Sequence, residues 1–255
     1  MVDTLGYRMK FGVIAPSTNT SVEPEFAWMQ PEGVTNHFSR IETPDMAVTD
    51  DESFGELVRI ISENTMDAID SVMTCSPGYV VMGMSAETFW DGSGRADRLH
   101  KEFEARAGTG VTMGSQACDA ALKAYSEEKP IKSIACLTPY MPLGDAMVKK
   151  YFTEIGYDVL EVIGLKSASP MLIAHESEEK MLDAIMKLNE HDPDAIVQCG
   201  TNLACVRVAA KAEKLLGKPV IAINAATYWH ALRANNINDK MPVSYTHLRA
   251  HETLR

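Results

Sequence analysis

The chain has 255 residues, of which 45% are hydrophobic and 23% are charged. These proportions are typical of a globular protein with one large or two small domains, and they exclude a disordered chain. The formal net charge of −11 argues against binding to nucleic acid or an anionic membrane, because neutralising phosphates requires an excess of Lys and Arg.

Two further features indicate where the protein works. No apolar run approaches the roughly 18 residues of a membrane span, and Met1–Lys10 lacks the apolar stretch of a signal peptide. The five cysteines form no CxxC pair, and most of them lie inside apolar runs. We therefore expect a soluble protein of the reducing cytoplasm, without a disulfide scaffold.

Short apolar runs ending in small or polar residues predict buried parallel strands, and longer stretches with apolar residues three or four apart predict amphipathic helices. In chain order, the predicted elements are strand Lys10–Ala15, a weaker strand Val34–Ile41, helix Glu52–Val72, strand Tyr79–Met82, helices Asp97–Ala107 and Ser115–Ser126, strand Ser133–Leu137, helices Leu143–Ile155 and Glu176–Asn189, strand Ala195–Val197, helix Leu203–Leu216 and strand Val220–Ile223. This alternation predicts parallel sheets covered by helices on both faces.

A weak internal repeat relates the two halves of the chain. Strands that lead into proline-containing loops, Gly12–Pro16 and Ala135–Pro139, are each followed by a strand that ends in a small or reactive residue, Gly83 or Cys199. We therefore predict an α/β fold of two pseudo-symmetric flavodoxin-like halves. Each half has a parallel sheet of four to five strands, and the active site lies in the cleft between the halves.

The repeat also sets the predicted boundaries. Residues 1–115 form the N-terminal half, residues 116–225 form the C-terminal half, and residues 226–242 form a terminal helical region that returns to the first half. Residues 243–255 contain no apolar period and resemble translated vector or adapter sequence. We interpret them as a non-native tail, with a native polar tail as the alternative.

In the first half, two loops at strand ends carry candidate ligand-binding groups. Ser17 and Asn19 lie in the PSTNT loop, whose hydroxyls, amide and backbone N–H groups suit a carboxylate. Gly83 allows a ligand to approach the backbone, and Ser85 with its neighbouring N–H groups is suited to an oxyanion. Ordinary turn and capping residues are the alternative in both loops. Neither loop has a dinucleotide or Walker pattern, so nucleotide binding has no support.

In the second half, Tyr140 and Cys199 are the candidate reactive residues. The Tyr140 hydroxyl follows a strand end and is placed to donate into the cleft, or its ring only packs against a loop. Cys199 precedes a glycine at a strand end that opens onto a predicted helix. The field of that helix would lower the thiol pKa. A small core residue is the alternative for Cys199.

The remaining cysteines and the histidines carry no predicted chemistry. We interpret four cysteines as small core residues: Cys75, Cys118, Cys136 and Cys205. The histidines show no zinc-ligand spacing, and no GxSxG motif occurs. The sequence therefore predicts neither a metal site nor the usual serine hydrolase.

Three segments resemble the aspartate/glutamate racemase superfamily: Gly12–Glu25 (GVIAPSTNTSVEPE), Leu137–Tyr140 (LTPY) and Ile196–Leu203 (IVQCGTNL). The resemblance spans about Lys10 to Lys240 and is closest to the branch of maleate cis–trans isomerases and arylmalonate decarboxylases. It implies an enzyme without metal or organic cofactor that binds a small carboxylate between its halves.

The resemblance also implies roles for individual residues. Maleate isomerases carry cysteine at both strand ends, whereas this chain has Cys199 at one and Gly83 at the other, like the arylmalonate decarboxylases. Cys199 would then reprotonate an enediolate that is held by donors from the two halves. The implied catalytic set is Cys199, Gly83 and Tyr140, and the implied substrate-binding set is Ser17, Asn19, Met84, Ser85, Gly200 and Thr201. Met84 departs from the decarboxylase pattern, where a hydroxyl is expected, and the PSTNT loop is closer to the isomerases.

We therefore expect a cofactor-independent decarboxylase of a small mono- or dicarboxylic acid. A maleate-type or racemase-type isomerase is the alternative, although it needs a second acid/base, and a non-catalytic carboxylate-binding protein is the third possibility. The expected partner is a small carboxylate, with neither nucleic acid nor membrane. A homodimer is compatible with the sequence.

Overall fold

The computed structural model describes residues 3–127 and 129–240 and contains two parallel sheets of four strands each. The strands of the first sheet are β1 (Met9–Pro16), β2 (Val34–Ile41), β3 (Tyr79–Met82) and β4 (Val111–Thr112). Those of the second are β5 (Ser133–Thr138), β6 (Asp158–Gly164), β7 (Ala195–Gln198) and β8 (Val220–Ala222). The spatial orders are β2-β1-β3-β4 and β6-β5-β7-β8. The same order in both sheets confirms two flavodoxin-like halves.

Helices connect successive strands and cover the sheets. They are α1 (Val22–Met29), α2 (Asp51–Met73), α3 (Ala86–Phe89), α4 (Ser93–Ala107), α5 (Gly114–Ser126), α6 (Pro142–Glu154), a short 3-10 helix (Leu172–His175), α7 (Glu178–Asn189), α8 (Val206–Leu216) and α9 (Ile223–Ala234). Local sequence explains several of their ends: Asp50 and Ser53 form a capping box at the start of α2, and Gly217 ends α8 in a left-handed conformation. Within the described ranges, no helix is long and apolar enough to cross a bilayer.

The predicted strands agree with the observed ones to within a residue at most ends, and the differences have local causes. Two strands, β4 and β6, were not predicted from the sequence. β4 has only two residues and β6 is a half-exposed edge strand, so neither gives a clear periodic pattern of apolar residues. The sequence-based assignment of Ile223 to the last strand is wrong, because this residue begins α9. The predicted tail, residues 243–255, lies outside the described residues.

The last helix of the second half, α9, packs on the first sheet. The Tyr228 ring contacts Phe11 of β1 and Phe26 of α1, with ring centroids 5.9 and 4.7 Å away. Its hydroxyl donates to Oδ1 of Asn36 in β2 at 3.1 Å. Because Tyr228 and both partner rings are fully buried, α9 is part of the core of the first half.

Conversely, α5 follows the last strand of the first sheet and packs on the second half. Cys118 of α5 is fully buried and lies near Cys136 of β5. Asp119 accepts a hydrogen bond from the Tyr157 hydroxyl at 3.1 Å. The helix after the last strand of each half, α5 or α9, thus packs on the other half. This crossing of helices joins the two halves and keeps their strand ends opposite one another.

We predict that Tyr228→Ala lowers the free energy of unfolding by about 3–5 kcal/mol, as removal of a buried aromatic ring does. The substitution opens a cavity between α9 and β1. The matched control is Leu215→Ala in α8, which removes a side chain that is 62% exposed and should cost less than about 0.5 kcal/mol. Urea unfolding of both variants measures the difference, and equal losses would contradict the packing of α9 on the first sheet.

Candidate active site

A cavity lies where the carboxyl ends of β1, β3, β5 and β7 face one another across the two halves. Its volume is about 60 Å³, well above the roughly 10–15 Å³ that a single water molecule needs. Its polar side is lined by Asn19, Ser85, Tyr140, Thr201 and Asn202, and its apolar side by Phe54, Leu57, Ile61, Met84 and Ile173. All of these side chains are uncharged. A ligand oxyanion is therefore met only by neutral donors.

Ser85 links the polar groups of both halves. Its Oγ lies 2.8 Å from the Tyr140 hydroxyl and accepts a hydrogen bond from the Thr201 N–H at 3.0 Å. One of the two hydroxyls donates to the other, so one hydroxyl proton remains for a ligand whichever way the pair is oriented. Burial raises the pKa of Tyr140 above its usual value. Tyr140 therefore stays protonated and remains a donor.

Tyr140 is held in place by the chain around it. Its N–H donates to the Thr138 hydroxyl at 3.0 Å, and that hydroxyl donates to the Asp145 carboxylate. Burial raises the pKa of Asp145 to about 6. The ring packs on Phe54 with a centroid separation of 5.3 Å. These contacts fix the direction of the phenol relative to Ser85.

Backbone donors supplement the hydroxyls. Among the described residues, the N–H groups of Met84, Ser85 and Gly200 donate to no protein acceptor, and all three residues line the cavity. Gly200 has φ of 122°, and a Cβ there would meet Cδ of Pro139 at 2.4 Å. Only glycine fits this position, for both conformational and steric reasons. The arrangement of neutral N–H and O–H groups is suited to an oxyanion.

Gly83 and Cys199 occupy equivalent backbone positions in the two halves. The Gly83 N–H donates to the carbonyl of Ile14 at 2.7 Å, and the Cys199 N–H donates to that of Leu137 at 2.8 Å. Their side-chain environments differ, because a Cβ on Gly83 would lie 2.9 Å from Cγ1 of Val22. A thiol at Gly83 would therefore require Val22 to shift, whereas the second half carries its thiol without such crowding.

The Cys199 thiol is fully buried and does not line the cavity in this conformation. It lies close to the thiol of Cys136 and near Cys118 and Asp145. Burial raises the pKa of Cys199 well above its ordinary value. The sequence-based prediction of a lowered thiol pKa is wrong, because α8 begins only at Val206 and its N-terminal field does not reach Cys199.

Three of the other four cysteines are core residues, as predicted. Cys118, Cys136 and Cys205 are fully buried. Cys75 is partly exposed just after α2, where its thiol lies 3.2 Å from the carbonyl oxygen of Val72. It does not line the cavity.

Two residues of the PSTNT loop have their polar groups occupied by the protein. The Ser17 hydroxyl donates to the carbonyl of Thr43 and accepts from its N–H, and Ser17 does not line the cavity. Asn19 lines the cavity, but its Oδ1 accepts from the N–H groups of Ser21 and Val22. Its Nδ2 donates to Oγ1 of Thr201 at 3.3 Å. Both residues hold loops in place, and the predicted ligand contact of Ser17 is not present in this conformation.

The sequence did not identify several residues of this region. Phe54, Leu57 and Ile61 form one wall from α2, whose amphipathic pattern does not show which end faces the cleft. Glu25 is 1% exposed, and burial raises its pKa to about 7. The sequence pointed to Glu25 only through its place at the end of the family-like segment Gly12–Glu25.

Met84 is the one large apolar side chain of the predicted substrate-binding set, and its apolar neighbours in the sequence lie elsewhere. Met84 lines the cavity as expected, whereas Met82 and Phe89 are buried in the core away from it. Trp90 is half-buried and packs against Phe54 at 6.0 Å. Within residues 3–127 and 129–240, no group of three or more His, Cys, Asp or Glu is arranged to hold a metal ion.

Comparison with known proteins places these features in a family. Residues 11–248 match the family model of arylmalonate decarboxylase. The maleate isomerase of Alcaligenes faecalis is 24% identical over 254 residues, which covers 91% of this chain and 93% of that protein. The maleate isomerase of Geobacillus stearothermophilus is 25% identical over 260 residues, covering 91% and 94%.

Solved structures with the same fold include both kinds of enzyme. Maleate cis–trans isomerase of Nocardia farcinica bound to TRIS has a TM-score of 0.84 at 19% identity, covering 94% of this chain and 97% of that one. A cysteine-to-serine variant of the same enzyme with a covalently bound succinylcysteine intermediate has a TM-score of 0.82 at 20% identity, covering 94% and 98%. Unliganded arylmalonate decarboxylase has a TM-score of 0.73 at 18% identity, covering 94% and 97%.

We predict that Gly83→Ala destabilises the fold by about 1–3 kcal/mol, because the new methyl group overpacks the site beside Val22. The double variant Gly83→Ala/Val22→Ala should recover part of this loss, since it removes the nearest contact atom. Gly55→Ala in α2 is the control: apart from its chain neighbours and the backbone of its own helix, no described atom lies within 4 Å of the position that its new methyl group would take, and it should be neutral or slightly stabilising. Urea unfolding of the three variants tests this order, which a neutral Gly83→Ala would overturn.

Proposed function

The chain belongs to the arylmalonate decarboxylase family and is an enzyme of the lyase or isomerase type, and on this premise we propose that it decarboxylates a small substituted malonate without a cofactor. The observation that carries the proposal is the asymmetry of the two strand ends. Cys199 supplies one thiol, while Val22 crowds the equivalent position at Gly83. A single proton donor matches a reaction that needs one protonation of carbon.

In the proposed reaction, the bond between the α-carbon and one carboxylate breaks, and CO₂ leaves. The electron pair stays on the substrate as an enediolate, whose charge lies on the oxygens of the remaining carboxylate. The Cys199 S–H then transfers its proton to the α-carbon, and the resulting thiolate regains a proton from water. The raised pKa of Cys199 supports this role, because the resting thiol carries the proton that it has to deliver.

The donors around Ser85 are suited to the enediolate. The free hydroxyl proton of the Ser85–Tyr140 pair and the unpaired N–H groups of Met84, Ser85 and Gly200 surround one side of the cavity. Fixed donors of this kind stabilise charge that develops only during reaction, and each typically contributes about 2.7–4 kcal/mol. No charged side chain is found among the described residues that line the cavity, so the stabilisation comes from aligned dipoles.

The apolar side of the cavity is suited to the departing carboxylate. Phe54, Leu57 and Met84 offer it no hydrogen bond or countercharge. Poor solvation of a carboxylate there favours its loss as neutral CO₂. Proton delivery then requires the thiol, which is buried and does not line the cavity in this conformation, to turn toward the cavity.

A maleate-type isomerase is the second candidate, favoured by the names of the curated relatives. The small volume of the cavity also favours a small dicarboxylate over one with a large substituent. Against it stands the lack of a second acid/base: among the described residues that line the cavity, none is Cys, His, Asp, Glu or Lys. This reading requires Cys199 to act alone as nucleophile or base.

A substrate panel separates the two candidates. Malonates with α-substituents from methyl to phenyl are incubated with the enzyme and followed by CO₂ release, and maleate is followed by formation of fumarate. Aspartate and glutamate serve as controls for racemisation. CO₂ release from a substituted malonate supports the proposal, whereas conversion of maleate without CO₂ supports the isomerase. Binding of these acids without any reaction would contradict both.

We predict that Cys199→Ala abolishes turnover and leaves binding of the product acid, measured by calorimetry, within a few-fold of the parent. Because the pKa of the thiol is raised well above its ordinary value of 9.0, kcat should not fall through thiol ionisation as the pH rises from neutrality to about 9. Cys118→Ala is the matched control for a buried thiol and should affect the melting temperature more than kcat. Full activity of Cys199→Ala would refute the mechanism.

We also predict that Tyr140→Phe and Ser85→Ala each lower kcat and kcat/KM together, because the oxyanion exists only along the reaction. The double variant removes both hydroxyls and should lose about 10²–10³-fold in kcat, as loss of an oxyanion donor does. Tyr157→Phe, which removes a tyrosine hydroxyl outside the cavity, is the control. A rise in KM with unchanged kcat would instead make the pair a simple substrate anchor.

A further inference from the structure

A buried carboxylate joins the two halves directly beneath the candidate site. Glu25 lies on α1 of the first half and is 1% exposed. Its Oε1 accepts a hydrogen bond from the N–H of Val206, the first residue of α8, at 2.9 Å. Its Oε2 accepts from Nδ2 of Asn224 in α9 at 2.6 Å. Both partners are donors, so the arrangement fits an ionised Glu25, which can only accept.

Asn224 carries this contact to the cavity. Its Nδ2 also donates to the carbonyl of Thr201 at 2.8 Å, while its Oδ1 is buried with no partner among the described residues. The N–H of Thr201 donates to Ser85 at 3.0 Å. The side-chain amide of Asn224 therefore links Glu25 to the backbone of Thr201. Thr201 directly follows Gly200, whose N–H is one of the oxyanion donors.

The unpartnered Oδ1 shows why the charge of Glu25 matters. An ionised carboxylate orients the amide with Nδ2 toward Glu25 and Thr201. A protonated Glu25 carboxyl has a hydrogen to donate. The nearby acceptor without a hydrogen-bond donor is Oδ1 of Asn224. Rotating the amide to accept it removes the Nδ2 donor from the Thr201 carbonyl, because the same side of the amide faces both groups.

Other groups around Glu25 set the pH at which this happens. Burial raises the pKa of Glu25 to about 7, and Arg207 on α8 opposes the shift. Cys205, at the start of α8, lies close by and stays protonated because burial raises its own pKa. On the side of α9, the facing group is the neutral amide of Asn224.

We propose that Glu25 is a positioning residue, which acts through Asn224 to hold Thr201 and its neighbouring oxyanion donors in place only while Glu25 is ionised. The inference rests on the proposed function for its catalytic consequence, but its structural part does not. It assigns to this chain a coupling between the ionisation of a group outside the cavity and the geometry of the donor loop.

The structural part is tested without substrate. Backbone amide resonances of Thr201 and Asn202 in the ¹⁵N-labelled full-length protein are followed from pH 5.5 to 8.5. In the parent they should titrate together with a midpoint near 7, and in Glu25→Gln they should not titrate. Glu213→Gln is the matched control: Glu213 is another buried glutamate, on α8, and it contacts Tyr125 outside the cavity. This variant should keep the parent's titration.

The catalytic part uses whichever substrate the panel identifies. At pH 8, Glu25→Gln should lower kcat by up to about 10²-fold, as a displacement of about 1 Å in a reacting geometry does, with KM changed less than about twofold. We also expect kcat of the parent to rise with pH near 7, and kcat of Glu25→Gln to lack this rise. Asn224→Ala should give the same pH-independent profile with Glu25 intact, because it removes the link and not the carboxylate.

A purely structural role gives a different pattern. The raised pKa means that Glu25 stabilises the fold when protonated, and this contribution is lost as the pH rises through about 7. Glu25→Gln therefore keeps the parent's low-pH stability, and a loss of kcat is not explained by unfolding. Titrating Thr201 resonances without turnover on any acid would overturn the proposed function alone. Turnover with non-titrating Thr201 resonances, or with a parent-like pH profile in Glu25→Gln, would overturn the inference.

Discussion

Burial of polar loops between two half-domains is the constraint on which the rest of the structure depends. The loops after β1, β3, β5 and β7 meet where many of their residues are buried, and their backbone groups need partners there. The segments 19–25 and 201–206 supply those partners to each other: Thr20 donates to Asn202, Ser21 to the Asn202 carbonyl, and Val206 to Glu25. The halves are therefore joined by hydrogen bonds at the position where the site is formed.

The electrostatic character of the cavity follows from the same burial. A charged lining residue would need a partner of its own, and the described lining contains none. Burial also keeps Cys199 and Tyr140 protonated, because it raises the pKa of both groups. The site therefore offers neutral hydrogen donors to a negatively charged substrate, and this combination suits a reaction in which charge moves onto a carboxylate and one proton is then delivered to carbon.

Pseudo-symmetry explains how the site acquired two unlike walls. Both sheets have the same strand order, and Gly83 and Cys199 make the same backbone hydrogen bond to the central strand. The backbone alone would give two equal strand ends. Val22 fills the space beside Gly83, so only the second half carries a thiol. The maleate isomerase and decarboxylase relatives share the fold, so the fold alone does not decide between such reactions.

The sequence by itself determined the alternation of strands and helices, the repeat and the four loops at the strand ends, because periodicity and turn residues act locally. It also placed Ser85, Tyr140 and Gly200 in one site. The tertiary structure alone decided the rest. It directs Ser17 to Thr43, brings Glu25 and Asn224 beneath Thr201, and raises the pKa of Cys199 instead of lowering it. Hydrogen-bond partners far apart in the chain and the extent of burial decide these properties, and neither is encoded in the local pattern of residues.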